Sequence, residues 1–124
     1  VAGGSGISPV MSLLRTLKEN GFNRKVTFIY GANTVDELPY LDELLALQAS
    51  EPNFVYYPAI ATAPTEPMSF QYDNCLVTDA ITKHMATTDN VAVYLCGSAG
   101  MIAAVTAVLN SKGSPKSIFY DKFN

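Results

Sequence analysis

The sequence is poor in the residues that metal and nucleic-acid sites require. Its 124 residues include one histidine, His84, and two cysteines, Cys75 and Cys96. These fall short of a tetrahedral site of histidine and cysteine ligands, so we predict no metal. Lysine and arginine number eight against eleven acidic residues. They are scattered, so no basic stripe could neutralise a nucleic-acid backbone, and we expect no nucleic-acid partner.

Long hydrophobic runs are also absent. No apolar stretch reaches the roughly 18 residues that indicate a membrane span, and the N-terminus lacks the charged-then-apolar pattern of a signal peptide. Hydrophobic residues nevertheless make up 48% of the chain. Because this length suffices to bury the core of one domain, we expect a single compact, cytoplasmic domain without a membrane span.

A glycine-rich turn opens the chain. Val1 and Ala2 are typical of the end of a buried strand, three glycines follow within Gly3–Gly6, and Ser8-Pro9 can begin a helix. Glycine permits positive φ and the close approach of a ligand, and the first amides of a helix point into such a turn. The pattern predicts an anion site, above all for phosphate. A tight strand-to-helix connection without a ligand is an equally open interpretation.

The glycine spacing excludes two well-known phosphate loops. A P-loop requires Gly-Lys-Ser/Thr after its glycines, and no lysine stands near Gly6. The dinucleotide dehydrogenases use Gly-x-Gly-x-x-Gly, whereas Gly6 is followed by Ile7, Ser8 and Pro9. A phosphate site here would therefore belong to a different class.

Strand and helix patterns alternate along the rest of the chain. Apolar periodicity predicts helices over residues 8–20, 40–49, 77–85 and from 101 to a stop at 113–115, and β-branched or aromatic runs predict strands over residues 25–30, 54–59, 91–96 and 117–120. With a first strand that ends at Ala2, five strands alternate with four helices. This order predicts an α/β fold, a five-stranded doubly wound parallel sheet with helices on both faces. The apolar run 91–96 predicts a central strand that is covered on both faces.

Several local signals refine this prediction. Thr34–Glu37 has the spacing of a capping box, with the helix delayed by Pro39 to about Tyr40. The fifteen residues 60–74 are a long loop, which predicts a ligand-facing segment, with a low-complexity linker as the open alternative. We interpret His84 as a surface residue.

The glycine turn and a second turn are expected to meet. In doubly wound sheets, ligands bind beyond the carboxyl ends of the strands. Gly3–Pro9 follows the first strand and Cys96–Gly100 follows the fourth. Both turns therefore belong to the same edge of the sheet and should face one crevice.

These two motifs resemble those of the ferredoxin-NADP reductase superfamily. Gly3–Pro9 is similar to its Gly-Gly-Thr-Gly-x-x-Pro loop, with Ser5 in place of threonine, and Cys96–Met101 is similar to its Cys-Gly-Pro-x-x-Met signature, with Ser98 in place of proline. Similar segments continue at residues 30–33, 40–44, 77–80 and 120–123. The resemblance is greatest to the NADH-binding domain in reductase components of bacterial multicomponent mono- and dioxygenases, of the methane or phenol hydroxylase reductase type.

The resemblance implies an NADH-dependent flavoprotein reductase. That family passes a hydride from NADH to FAD, and then single electrons to a 2Fe-2S centre and on to an oxygenase. The implied partners are a flavin-binding domain and an iron–sulfur domain of the same reductase, and the oxygenase component. A non-enzymatic nucleotide-binding module and a flavodoxin-like module are the alternatives, but neither accounts for Cys96–Met101.

The family's other motifs are missing from the sequence. Neither the flavin motif Arg-x-Tyr-Ser/Thr nor the iron–sulfur motif Cys-x4-Cys-x2-Cys occurs, and the chain begins inside its first strand. We therefore interpret residues 1–124 as the NAD(H)-binding domain of a longer flavin and iron–sulfur reductase. We expect this isolated domain to bind NADH without oxidising it, and to be less stable than the intact reductase.

The resemblance also implies roles for individual residues. Its cofactor-binding positions, around the pyrophosphate and the nicotinamide, fall on Gly4, Ser5, Gly6, Ile7, Ser8, Gly31, Asn33, Thr62, Gly97, Ser98, Met101 and Phe123. Cys96 would hold the nicotinamide against the flavin rather than act as a nucleophile, with a buried core cysteine as the alternative. Phe123 would pack by the flavin, with a hydrophobic plug on the last strand as the alternative.

Charge near the second and third strands bears on the choice of cofactor. NADPH-using relatives place serine and arginine just after strand three, where this chain has Ala61 and Thr62. Asp36 and Glu37 add negative charge after strand two and would repel a phosphate of about −2 charge. We therefore expect NADH rather than NADPH.

Overall fold

A five-stranded parallel sheet lies at the centre of the fold. The computed structural model describes residues 1–123, with the backbone alone described for Phe123. Within this range the strands are β1 (Ala2–Gly3), β2 (Val26–Ala32), β3 (Phe54–Ile60), β4 (Ala92–Ser98) and β5 (Ser117–Phe123). Their order is β3-β2-β1-β4-β5, and all the pairings are parallel. The predicted doubly wound sheet is confirmed.

Helices cover both faces of the sheet. They are α1 (Ile7–Glu19), α2 (Leu41–Ser50), α3 (Val77–His84) and α4 (Ala99–Ser111). The apolar stripes of α1 and α2 pack on one face against Phe28, Tyr30 and Tyr56. Those of α3 and α4 pack on the other face against Ile29 and Leu95. Within residues 1–123, none of the helices is long and apolar enough to cross a membrane.

The fourth strand is interior, but it is neither central nor covered on both faces. The two-residue β1 occupies the middle of the sheet, and β4 lies between β1 and β5. Val93 and Leu95 are buried on the α3–α4 face, whereas Tyr94 is 46% exposed on the other face and stacks on Phe119 at 5.1 Å. The α1–α2 layer reaches β4 at Cys96 but leaves Tyr94 to solvent. The apolar run did not reveal this exposure, because tyrosine counts as apolar in the pattern but its hydroxyl also tolerates contact with water.

Two predicted helix caps are not formed, although both helices begin within one residue of the predicted start. Gly6 is the N-cap of α1, so Ser8 lies inside the first turn and caps nothing. Val35–Glu37 forms a short 3₁₀ turn to which Thr34 supplies no side-chain cap, and Glu37 Oε2 accepts the backbone N–H of Asn33 at 3.1 Å instead. The regular helix α2 begins at Leu41. A 3₁₀ turn, Gly4–Gly6, runs directly into α1, and the second 3₁₀ turn ends at Glu37, before α2 begins.

The third strand also runs further than predicted. It extends through Pro58 to Ile60, although a proline was expected to end it near Ala59. Proline lacks an N–H and is tolerated in edge strands. Because β3 is at the edge of the sheet, Pro58 interrupts no central ladder.

Candidate functional site

The turn between β1 and α1 depends on its glycines. Gly4 has φ +57°, in the left-handed region that favours glycine, and no atom lies within 4 Å of the position that a Cβ would take. A Cβ on Gly6 would overlap the carbonyl oxygen of Cys96. One glycine therefore gives the turn its shape and an open outer surface, while the other lets the start of α1 approach β4.

The second turn, between β4 and α4, is held by side chains. Ser98 is the N-cap of α4, and its Oγ accepts the backbone N–H of Met101 at 3.2 Å. The Met101 sulfur lies 2.7 Å from the position that a Cβ would take at either Gly3 or Gly97. Met101 thus fills the space between two glycines, one from each motif. The two turns lie in contact at the carboxyl edge of the sheet.

A cavity of about 680 Å³ opens beside these turns. It is lined by the first turn, the ends of β2 and β3, and the starts of α3 and α4, through Gly4, Tyr30, Gly31, Ala32, Asn33, Glu37, Pro39, Ala59, Ala61, Cys75, Leu76, Val77, Thr78, Met101 and Ala104. Its volume lies within the range of small-molecule and cofactor sites. Four residues that the sequence predicted are among them: Gly4, Gly31, Asn33 and Met101.

The other predicted residues lie outside the lining of this cavity. They divide into the buried Gly6, Ile7, Cys96 and Gly97, and the exposed Ser5, Ser8, Thr62 and Ser98. The side chain of Phe123 falls outside the described part of the chain, and its backbone pairs with Ser98. Each of the two predicted motifs thus contributes one residue to the cavity lining, Gly4 from the first and Met101 from the second.

Cys96 is a buried thiol. Cys96 is 7% exposed and belongs to the core on the α1–α2 face of the sheet. Burial, followed by the negative charge of Asp121, raises the pKa of the Cys96 thiol. A raised pKa keeps the thiol protonated at neutral pH, which does not suit a nucleophile.

The sequence did not single out Tyr30 for the site. Tyr30 is 2% exposed, and its hydroxyl donates a hydrogen bond of 2.7 Å to the carbonyl oxygen of Gly4. Burial, followed by the charge of Glu37, raises the pKa of Tyr30, so the phenol remains a donor. Only strand pairing, which aligns Tyr30 with Ala2, could have indicated this contact.

The start of α3 was also missed as a cavity wall. Residues 75–78 line it, and a Cβ on Gly31 would lie 3.0 Å from the Cβ of Val77. Gly31 is therefore needed for the close packing of α3 against β2. Burial, followed by the charges of Asp73 and Asp79, raises the pKa of Cys75, which lines the cavity as an un-ionised thiol.

The long loop before α3 is anchored rather than a free linker. Asp73 pairs with Ala59 beside β3, and its carboxylate binds Lys83 Nζ at 2.7 Å and His84 Nε2 at 2.6 Å. Burial alone would raise the pKa of Asp73, but the hydrogen bonds from Lys83 and His84 lower it overall. His84 also stacks on Tyr57 at 3.6 Å. The interpretation of His84 as a surface residue is therefore wrong.

The cavity carries negative rather than positive charge. Glu37 is the one charged residue among those that line it in the described part of the chain. Elsewhere in residues 1–123, no group of three or more histidine, cysteine, aspartate or glutamate residues is placed to hold a metal ion. The wall suits a ligand that binds through backbone amides and apolar contacts.

Comparison with known proteins identifies related sequences. The family model described as "Oxidoreductase NAD-binding domain" matches residues 1–107. The chain is 36% identical, over 99% of its length, to the reductase component of propane 2-monooxygenase from Rhodococcus jostii strain RHA1, of which it covers 34%. It is 34% identical, again over 99% of its length, to the reductase component of phenol 2-monooxygenase from Pseudomonas sp. strain CF600, of which it covers 35%. It thus spans about a third of these relatives.

A solved structure shares the fold. The crystal structure of an Amycolatopsis cytochrome P450 reductase superimposes with a TM-score of 0.83 over 98% of this chain and 36% of that protein. The sequence identity is 24%. At this level of identity the similarity establishes the fold.

Proposed function

Because this chain belongs to the oxidoreductase NAD-binding domain family, we propose that it binds NADH and presents the nicotinamide to a flavin in a reductase that serves an oxygenase. This family membership establishes that the chain is the NAD-binding domain of an oxidoreductase. The proposed oxygenase partner is supported by relatives that are reductase components of propane and phenol monooxygenases. Covering about a third of those relatives, the chain would be one domain of a longer reductase, beside flavin and 2Fe-2S domains.

The observation that carries the proposal is the contact between the two glycine turns beside a cavity of about 680 Å³. A dinucleotide needs a long cleft with a place for its pyrophosphate. Gly4 supplies an open backbone surface at that cleft, and the α1 N-terminus follows it. The residues present therefore fit a dinucleotide.

Each part of the site would have a separate task. The Gly4–Gly6 backbone and the start of α1, with Ser5 and Ser8 exposed beside them, would hold the pyrophosphate. Gly31, Asn33 and Thr62 would border the adenosine half.

The second turn would receive the other half of NADH. Cys96, Gly97, Ser98 and Met101 would border the nicotinamide, and Phe123 would lie toward the flavin. FAD, when bound, supplies the acceptor for the hydride. Cys96 would act as a positioning residue, because the reacting atoms must be held about 3–3.5 Å apart and a small thiol permits such packing. Its raised pKa supports a role without ionisation.

The charge around the cavity favours NADH over NADPH. Glu37 lines the cavity, and Ala61 and Thr62, which follow β3, supply no cation. A 2′-phosphate of about −2 charge would be repelled by Glu37 and left without a counter-ion.

Calorimetric titration with both nucleotides tests this preference. We expect the unmodified chain to bind NADH more tightly than NADPH. In Thr62→Arg the difference between the two affinities should be smaller. Thr65→Arg is the matched control, because Thr65 is exposed in the same loop but, unlike Thr62, does not adjoin a residue that lines the cavity. NADPH binding that equals or exceeds NADH binding in the unmodified chain would refute the preference.

A kinetic experiment tests the role of Cys96. In a reductase that includes this domain, Cys96→Ala should slow flavin reduction in stopped flow by more than it weakens NADH binding. The 124-residue chain alone should bind NADH yet leave ferricyanide unreduced, because it would hold no hydride acceptor. Flavin reduction rates left unchanged by Cys96→Ala would show that Cys96 serves core packing alone.

A further inference from the structure

One peptide in the first turn, Gly4–Ser5, is held by a side chain as well as by the backbone of the 3₁₀ turn Gly4–Gly6. Glycine adopts positive and negative φ about equally well, so the Gly4–Ser5 peptide could point in more than one direction. Neither the Gly4–Gly6 turn nor α1 has a side-chain cap. A contact from elsewhere in the fold can therefore add to the backbone hydrogen bonds of the turn in holding this orientation.

The hydroxyl of Tyr30 makes that contact. Tyr30 lies on β2, the strand next to β1, and its hydroxyl donates a hydrogen bond of 2.7 Å to the Gly4 carbonyl oxygen. The ring is itself held by Phe28, whose centroid lies 6.2 Å away, and Tyr30 is 2% exposed. A buried tyrosine usually pairs its hydroxyl, and here the partner is the backbone of the turn.

The bond has a geometric consequence for Ser5. No cis peptide bond occurs in the described residues, and a trans peptide directs its C=O and its N–H to opposite sides. Because the Gly4 carbonyl points to the Tyr30 hydroxyl, the Ser5 N–H points away from it. The space above Gly4 on the outer side of the turn is open.

We propose that Tyr30 is a positioning residue that fixes the Gly4–Ser5 peptide so that the Ser5 N–H donates to the pyrophosphate of the bound nucleotide. The inference rests on the proposed function, since it needs a nucleotide in the cavity. It adds to that function a residue one strand away from the phosphate, which acts through the backbone of the turn.

A pair of tyrosine variants tests the proposal in the 124-residue chain. Tyr30→Phe removes the hydroxyl and keeps the ring. The matched control is Tyr56→Phe: Tyr56 is 3% exposed, packs on the same Phe28 at 5.4 Å, and its hydroxyl has no hydrogen-bond partner among the described residues. Both changes remove one oxygen from the same aromatic cluster.

The readout is affinity for three probes: NADH, ADP and adenosine. Loss of one hydrogen bond should weaken NADH and ADP binding by about fivefold in Tyr30→Phe and leave adenosine unchanged, because adenosine has no pyrophosphate. Tyr56→Phe should bind all three like the parent. Equal weakening for adenosine would indicate general loosening of the cavity and would overturn the proposal.

Two further results separate this inference from the proposed function. Absence of NADH binding by the parent chain would overturn both, whereas parent binding that Tyr30→Phe leaves unchanged would overturn the inference alone. Should Tyr30→Phe fail to fold, the predicted contact of the Ser5 N–H with pyrophosphate can still be tested in the parent chain, by measuring amide NMR shifts on addition of inorganic pyrophosphate. The Ser5 amide should shift more than the Gly31 amide, and an unmoved Ser5 signal would refute the proposal.

Discussion

The two glycine turns at the carboxyl edge of the sheet begin their helices in different ways. The first, Gly4–Gly6, uses positive φ and backbone contact, and no side chain caps α1. The second follows β4, where Ser98 caps α4 through its hydroxyl. The first turn therefore leaves the surface at Gly4 open, while the second satisfies a helix donor within the protein.

This difference separates a turn with an open backbone surface from a turn whose glycine is covered by a side chain. Gly4 faces open space beside the cavity, whereas the Met101 sulfur occupies the space where a side chain on Gly97 would lie. Glycine thus leaves open space in one turn and admits a side chain in the other. The comparison can be tested one glycine or cap at a time.

The largest effect is expected from Gly6→Ala. The new Cβ would overlap the Cys96 carbonyl oxygen, so the backbones of α1 and β4 must separate. We expect the free energy of unfolding to fall by about 3 kcal/mol, near the upper end for overpacking, as measured by urea denaturation. A loss below about 0.5 kcal/mol, the size of an ordinary surface change, would show that the two turns do not pack as described.

Gly4→Ala should cost less, because no atom stands within 4 Å of the new Cβ. The cost is that of left-handed backbone alone, about 1–2 kcal/mol. Gly4→Asn is the matched variant and should lose less stability, since asparagine tolerates this region. Equal losses in thermal denaturation for both variants would contradict a backbone origin.

Removal of the cap from the second turn should have a smaller effect. Ser98→Ala deletes the acceptor of the Met101 N–H and should lower the free energy of unfolding by about 1 kcal/mol, while Ser98→Asp should restore most of it. Ser8→Ala is the control from the first turn, because Ser8 does not cap α1. A loss in Ser8→Ala as large as that in Ser98→Ala would remove the contrast between the turns.

The smallest effect, and the only stabilising one, is expected from Gly100→Ala. Gly100 lies in the first turn of α4 without a positive φ, and nothing lies within 4 Å of an added Cβ. Alanine should raise the free energy of unfolding by about 0.5–1 kcal/mol. Gly21→Ala offers the matched contrast, since Gly21 has equal space but φ +75°, and it should destabilise. Stabilisation by both would mean that φ does not decide the outcome.

Local sequence signals predicted most of the fold. Short-range periodicity predicted the order of strands and helices, and the two glycine motifs predicted which edge carries the site. The errors occurred where a distant contact prevailed. Tyr94 is open because the α1–α2 layer stops at Cys96, and His84 is drawn to Asp73 across the loop.

By itself, the sequence determined the alternating elements and the two turns, because these depend on residues within a few positions of one another. The parallel sheet followed from that alternation, because strand–helix–strand units connect by right-handed crossovers. The tertiary structure alone decided that Tyr30 holds Gly4 and that residues 75–78 close the cavity. It also decided that Cys96 lies in the core rather than on the cavity wall. Such contacts depend on strand register and helix placement, which bring together residues far apart in the chain and leave no local pattern.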